Sequence, residues 1–222
     1  MKVKQRNPCA RVDKDRPWID WLSTKIDKDH HIVEFELLAL AVCTGAIDST
    51  AFPKYHCFLS NQTGNTVLFA VTAFSLFGTR GTTDFMVPAP HLAVSLGFFC
   101  TGVFVAGQFA NHFDAQNTRW WLLLSNIVQT AMVLLAALIN LLFHTGEEIL
   151  TAPVLCTIGL LAFSSGAQVA MSRQLSVPEI PTTQATAAYV DLFVDPRIFG
   201  SENRSRNRRV AFLIALIVGS CQ

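Results

Sequence analysis

Residues 120–146 read WWLLLSNIVQTAMVLLAALINLLFHTG, an unbroken run without one Asp, Glu, Lys or Arg. A charge at the centre of a bilayer costs about 2.5–3.5 kcal/mol on insertion scales. About 20 apolar residues in a helix span the hydrocarbon core. The run is clean enough and long enough to be a membrane helix. Similar runs lie on both sides of it. Ile149–Ser172 carries no charge, Phe85–Phe113 carries none besides His91 and His112, and Tyr55–Thr79 none besides His56. These predict helices near 58–79, 91–111, 120–143 and 152–172. A further helix near 33–52 contains Glu34 and Glu36 at its start and Asp48 inside it.

The composition agrees. The chain of 222 residues is 51% hydrophobic and 15% charged, against about 25% charged for a soluble domain. Seventeen Phe against two Tyr is a lipid-facing usage, since Phe has no polar atom to satisfy. A disordered tail, a coiled coil and an ordinary cytosolic enzyme are excluded. With a net charge of +1 and no basic face, so is a nucleic-acid partner. The reading is an all-α, polytopic membrane protein whose first partner is the lipid bilayer. Residues 1–32 form a charged N-terminal extension without the apolar core of a signal peptide. Trp18, Trp21 and Leu22 suggest a short interfacial helix there. Residues 33–222 form the helical domain.

Two segments need arbitration. Residues 180–195 are polar and threonine-rich, and 210–222 are apolar but short of a full span. If the N-terminus is cytoplasmic and 180–195 crosses, Lys and Arg divide 14 inside to three outside; if it does not cross, they divide nine to eight. The positive-inside rule selects the crossing. This gives six spans and a partial seventh, with Trp120 and Trp121 in the outer interfacial belt.

An internal repeat points the same way. Gly45-Ala46-Ile47-Asp48-Ser49, a linker with Pro53, then Asn61-Gln62-Thr63-Gly64-Asn65-Thr66 is echoed downstream. The echo is Gly166-Ala167-Gln168-Val169-Ala170, a linker with Pro178 and Pro181, then Thr182-Thr183-Gln184-Ala185-Thr186-Ala187. Four crossings separate the two units, so the repeat would be parallel, a known transporter architecture.

These residues resemble the YoaK-like family of uncharacterised multi-span membrane proteins. The match is Gly-x-x-Asp at Gly45–Asp48 and Asn-x-Thr-Gly-Asn-Thr at Asn61–Thr66, over roughly residues 35–222. In the later motif Val169 and Ala187 replace the family's amide and glycine. The charged extension is similar to that of fungal members, and the chain reads as shortened at its C-terminus. The resemblance implies a multi-span helical fold and no established activity.

Polar groups facing lipid are expensive, so the polar residues of the two units must face the bundle or a wet cavity. The candidate substrate-binding residues are Asp48, Asn61, Thr63, Gly64, Asn65, Gln168, Thr183 and Thr186, in one layer of the outer half. Asp48 is the only acid there, and an intramembrane carboxylate is a site for a proton or a cation. Gly64 permits close backbone approach. The function expected is transport of a small solute, an ion or a proton. The alternative is a scaffold in which the same side chains bond helix to helix, a contact worth about 0.6 kcal/mol on average.

Other features carry less. Ala93, Gly97 and Thr101, and Gly102, Ala106 and Ala110, have the four-residue spacing of close helix packing or of a homo-oligomer face. Asn126 and Gln129 sit one turn apart, facing a neighbouring helix. The six Cys include no CxxC pair, and Cys43, Cys100 and Cys156 lie in apolar runs as small hydrophobes. No His pair has metal spacing. No Walker, GxSxG, HExxH or dinucleotide motif occurs. Neither a cofactor, a metal nor an enzymatic activity is expected.

Overall fold

The computed structural model describes residues 22, 24, 31–77, 88–143, 150–175, 177, 179–200 and 202–221. The expected interfacial helix at Trp18–Leu22 lies outside them but for Leu22. Among the described residues the fold is all-α, with no strand. Its main helices are α1 (His31–Tyr55), α2 (Gln62–Phe77), α3 (Ala89–His112), α4 (Arg119–Leu142), α5 (Ala152–Gln174), α6 (Ala185–Phe193) and α7 (Arg204–Ser220).

Local chemistry sets the boundaries. Pro53 lies in the last turn of α1, and the helix stops two residues later, before His56, whose φ of 54° leaves the right-handed helical region. Pro88 and Pro153 sit at the starts of α3 and α5, where a missing N–H costs nothing. The Asn203 side chain accepts the Arg206 N–H and caps α7. The arginine cluster therefore falls inside the last helix, which begins six residues before the expected 210.

Helices α3, α4 and α5 are each long and apolar enough to cross a membrane, which marks a membrane-associated chain. The expectation of six such spans is not met. Helix α6 has nine residues, about 13.5 Å at 1.5 Å per residue, against a hydrocarbon core of about 30 Å. Helix α2 has 16 residues.

Contacts fix the directions of α1, α3, α4, α5 and α7 relative to one another. Let the proximal end be where α1 starts and the distal end where it finishes. Helix α3 starts at the distal end, where His91 Nδ1 lies 2.9 Å from the Tyr55 carbonyl and Leu92 joins Ala51 and Tyr55 in one apolar cluster. The chain between α1 and α3, with α2 in it, thus leaves and returns at the same end. Helix α5 finishes at the proximal end, where Met171 and Leu175 pack with Val33 and Leu37. Helix α7 starts there, with Arg204 and Arg208 on Glu34. The chain between α5 and α7, with α6 in it, also leaves and returns at one end, the opposite one. Helix α4 runs with α1: Asn126 bonds Glu36, and Lys54 bonds Asn140.

Helices α1, α3, α4 and α5 therefore run the length of the body, α7 follows α1 only from Glu34 to about Gly45, and two re-entrant segments enter from opposite ends. Helices α2 and α6 do not cross it, although sequence counting predicts spans at 58–79 and 180–195. Trp121 lies at the same end as the start of α1, not at the opposite end as the charge count expects. It is buried against Ala110, Ala167 and Ala170 and donates to Gln174 at 2.9 Å. Helices α1 and α5 are antiparallel, so the stretches that begin at Gly45 and Gly166 start out in opposite directions, and the expected parallel arrangement is not found.

Two helix pairs carry the packing. In α1 and α7 a Cβ on Gly45 would strike the Leu216 carbonyl, and one on Gly219 the Val42 carbonyl. In α3 and α5 a Cβ on Gly166 would strike the Phe99 carbonyl, and one on Gly102 the Phe163 carbonyl. In every case a glycine meets the oxygen of the residue three before the partner glycine. Each pair is parallel, and only glycine permits backbones this close.

Candidate functional site

The first re-entrant turn is built from the end of α1. His56 adopts φ 54° and turns the chain back. Asp48, two turns earlier in α1, then holds the returning strand: Oδ1 accepts the Leu59 and Ser60 N–H groups at 2.8 and 3.1 Å, and Oδ2 the Ser60 hydroxyl at 2.5 Å. Asn65 is fully buried and closes the other side. Its Oδ1 accepts the Phe58 N–H at 2.8 Å, and its Nδ2 donates to the Phe58 carbonyl at 2.6 Å. Ser95 of α3 donates to the same carbonyl at 2.8 Å. These bonds satisfy backbone groups that no helix or sheet serves. They also set the start of α2 well inside the protein.

The second turn is simpler. Thr182 is fully buried at φ 55°, its hydroxyl 3.5 Å from that of Ser172. At the position of Asp48 the later unit carries Val169, and at that of Asn65 it carries Ala188, both buried. One re-entrant segment is thus held by a polar staple and the other by apolar packing.

The starts of α2 and α6 meet around a cavity of about 500 Å³. Asp48 and Gly45 of α1, Asn61 and Thr63, Phe99 of α3, Thr183 to Ala187, and Leu216 and Ser220 of α7 line it. Five of the expected site residues, Asp48, Asn61, Thr63, Thr183 and Thr186, are brought to this one space. The other three are not. Gly64 sits under the Phe58 ring, where a Cβ would come within 3.1 Å of it. Asn65 is consumed by the turn. Gln168 donates to Thr44 Oγ1 at 3.1 Å and ties α5 to α1 in a buried contact.

Sequence reading missed Gln184, Ser220 and Ser95. Ser220 lies in an apolar run without any motif, and Ser95 among residues expected only to pack. Gln184 stood inside the quoted later motif but was not singled out. It also borders a second cavity, of about 420 Å³, lined by Ser172, Arg173, Val177, Ile180, Pro181, Gln184, Ala187 and Asp191. Gln184 and Ala187 belong to both walls. Arg173 Nη2 donates to Gln184 Oε1 at 2.7 Å across that partition.

The proximal end is dense in ion pairs. Glu34 takes Arg204 and Arg208, and Arg209 lies 3.1 Å from Asp195 in the loop after α6. The Asn203 side-chain amide, together with the Arg197 N–H and the Arg209 charge, holds the half-buried Asp195 carboxyl below the usual aspartate range.

A family model described as "Protein of unknown function (DUF1275)" matches residues 37–221, nearly the stretch over which the motif resemblance runs. No curated protein and no solved structure matches the chain.

Proposed function

We propose that this chain, which belongs to the DUF1275 family of proteins of unknown function, passes small solutes across a membrane. One observation carries the reading: the starts of two re-entrant helices, inserted from opposite ends, share a polar cavity at mid-depth in the bundle. Irregular backbone within a bilayer is tolerated only where protein buries it or where it lines a wet space. Discontinuous helices meeting at the interface of two oppositely directed units are a recurring form of transport site. The second cavity continues the space towards the proximal end, with Gln184 and Ala187 between the two. On this reading Gln184, held by Arg173, is the partition a solute must pass.

The two units act here as an inverted repeat, supported by the paired glycine contacts of α1 with α7 and α3 with α5. The proximal end is cytoplasmic. Arg119, Arg173, Arg197, Arg204, Arg206, Arg208 and Arg209 fall at or next to it, and eight Lys and Arg precede α1 in the chain, against Lys54 at the distal end and Arg80 in the chain between α2 and α3. This asymmetry is steeper than the sequence count assumed, because Arg119 and Arg173 join the cytoplasmic side.

A scaffold is the second reading, favoured by Asn65 and Gln168, whose amides are spent on helix and turn contacts. Water access separates the two. A cysteine at Thr186, in a chain otherwise free of cysteine, reacts with a small membrane-impermeant thiol reagent if the cavity belongs to a wet path. Absence of reaction in the bilayer, with reaction restored on unfolding, contradicts the path.

A further inference from the structure

The geometry points to a small, uncharged, hydrogen-bonding solute of the polyol or urea type as the occupant of the cavity between α2 and α6, with ions excluded. This rests on the transport reading and names its substrate class. Apart from Asp48, the polar walls are hydroxyls and amides, with Ser60, Asn61, Gln62 and Thr63 on one side and Thr183, Gln184, Thr186 and Ser220 on the other. Each such group both donates and accepts, the pattern that complements alcohols and neutral amides. No Lys, Arg or His lines the cavity among the described residues. Asp48 is its single charge, and that charge is already engaged by two backbone N–H groups and one hydroxyl.

An ion that sheds water to bind here finds no free countercharge on the walls to repay the lost hydration. An anion also meets Asp48. A cation must compete with the three donors that hold the re-entrant turn, so binding it would loosen the turn that forms the site. In the second cavity Arg173 and Asp191 stand together with opposite signs, which gives no net preference for either kind of ion. A neutral solute meets none of these penalties. The volume, about 500 Å³, lies in the range of about 300–1,000 Å³ usual for small-molecule sites.

The test uses the full chain in sealed proteoliposomes. Stopped-flow light scattering follows vesicle volume under inward gradients of glycerol, urea and erythritol. Parallel vesicles report Na⁺, K⁺ and Cl⁻ movement with ionophore-controlled dyes. The expected result is protein-dependent entry of a neutral solute without protein-dependent ion movement. Thr186→Trp and Thr63→Trp, both at exposed positions on the cavity wall, each abolish that component while the thermal transition is retained. Ion movement, alone or beside neutral solute, overturns the substrate class and leaves a transport path standing. No movement of either kind by a protein that keeps its thermal transition overturns this proposal together with the transport reading.

Discussion

Asp48 is spent on the backbone. Its carboxylate accepts from Leu59, from Ser60 and from the Ser60 hydroxyl, so its first role is to pin a returning chain. Asp48→Leu leaves two buried N–H groups without an acceptor, each costing about 1–3 kcal/mol. The variant should melt well below the parent in detergent, while Asp48→Asn, which keeps one oxygen for both N–H groups, should lose less. Equal melting of Asp48→Leu and parent contradicts this. The sequence marked Asp48 correctly as a buried acid that needs a reason. It left open which reason applies, because the donors come from residues 59 and 60, whose fold-back no local pattern announces. Asp195 gives a pH-dependent counterpart outside the spanning helices. Its folded-state pKa is depressed, so its contribution is complete above the ordinary aspartate value and lost as pH falls through the lower folded value. Wild type should therefore lose more stability than Asp195→Asn between pH 6 and pH 3, read by thermal melts. Parallel losses contradict it.

The helices fall into two tight pairs, and glycine sets both. Gly45 and Gly166 each lie against a carbonyl of the facing helix, which cannot yield as a flexible side chain can. Gly45→Leu and Gly166→Leu should each be destabilised by at least about 1–3 kcal/mol. Gly97→Leu, at a position with nothing within 4 Å, should stay near the parent. A loss at Gly97 equal to that at Gly45 contradicts the assignment of the packed faces. Helix positions were legible because charge-free runs need no tertiary information: the expected 120–143 is observed as Arg119–Leu142, and 91–111 as Ala89–His112. The same method failed at 180–195. Hydropathy and charge balance weigh residues but do not measure helix length, and here nine helical residues follow a buried turn at Thr182. The four-residue spacing at Gly102, Ala106 and Ala110 signalled close packing, and Gly102 does face α5; the stripe Ala93, Gly97 and Thr101 has the same spacing and is exposed.

In the whole molecule the decisive property is that the segments carrying α2 and α6 enter from opposite ends. Sequence similarity alone could not give this. Direction follows from the number of crossings between the units, and both re-entrant segments were counted as crossings. Removing both changes where everything between them lies, while leaving the last helix on its former side. The loop between α3 and α4 is the place where the two topologies differ most plainly. It holds Gln116, which is exposed. The measurement to make is side-specific labelling of a single cysteine at Gln116, in sealed vesicles of known orientation, beside a tag at the N-terminus. Labelling of Gln116→Cys from the same side as the N-terminal tag is the predicted result. Labelling from the opposite side would show that the segment carrying α2 crosses the membrane, and the shared cavity between oppositely inserted helices would have to be abandoned.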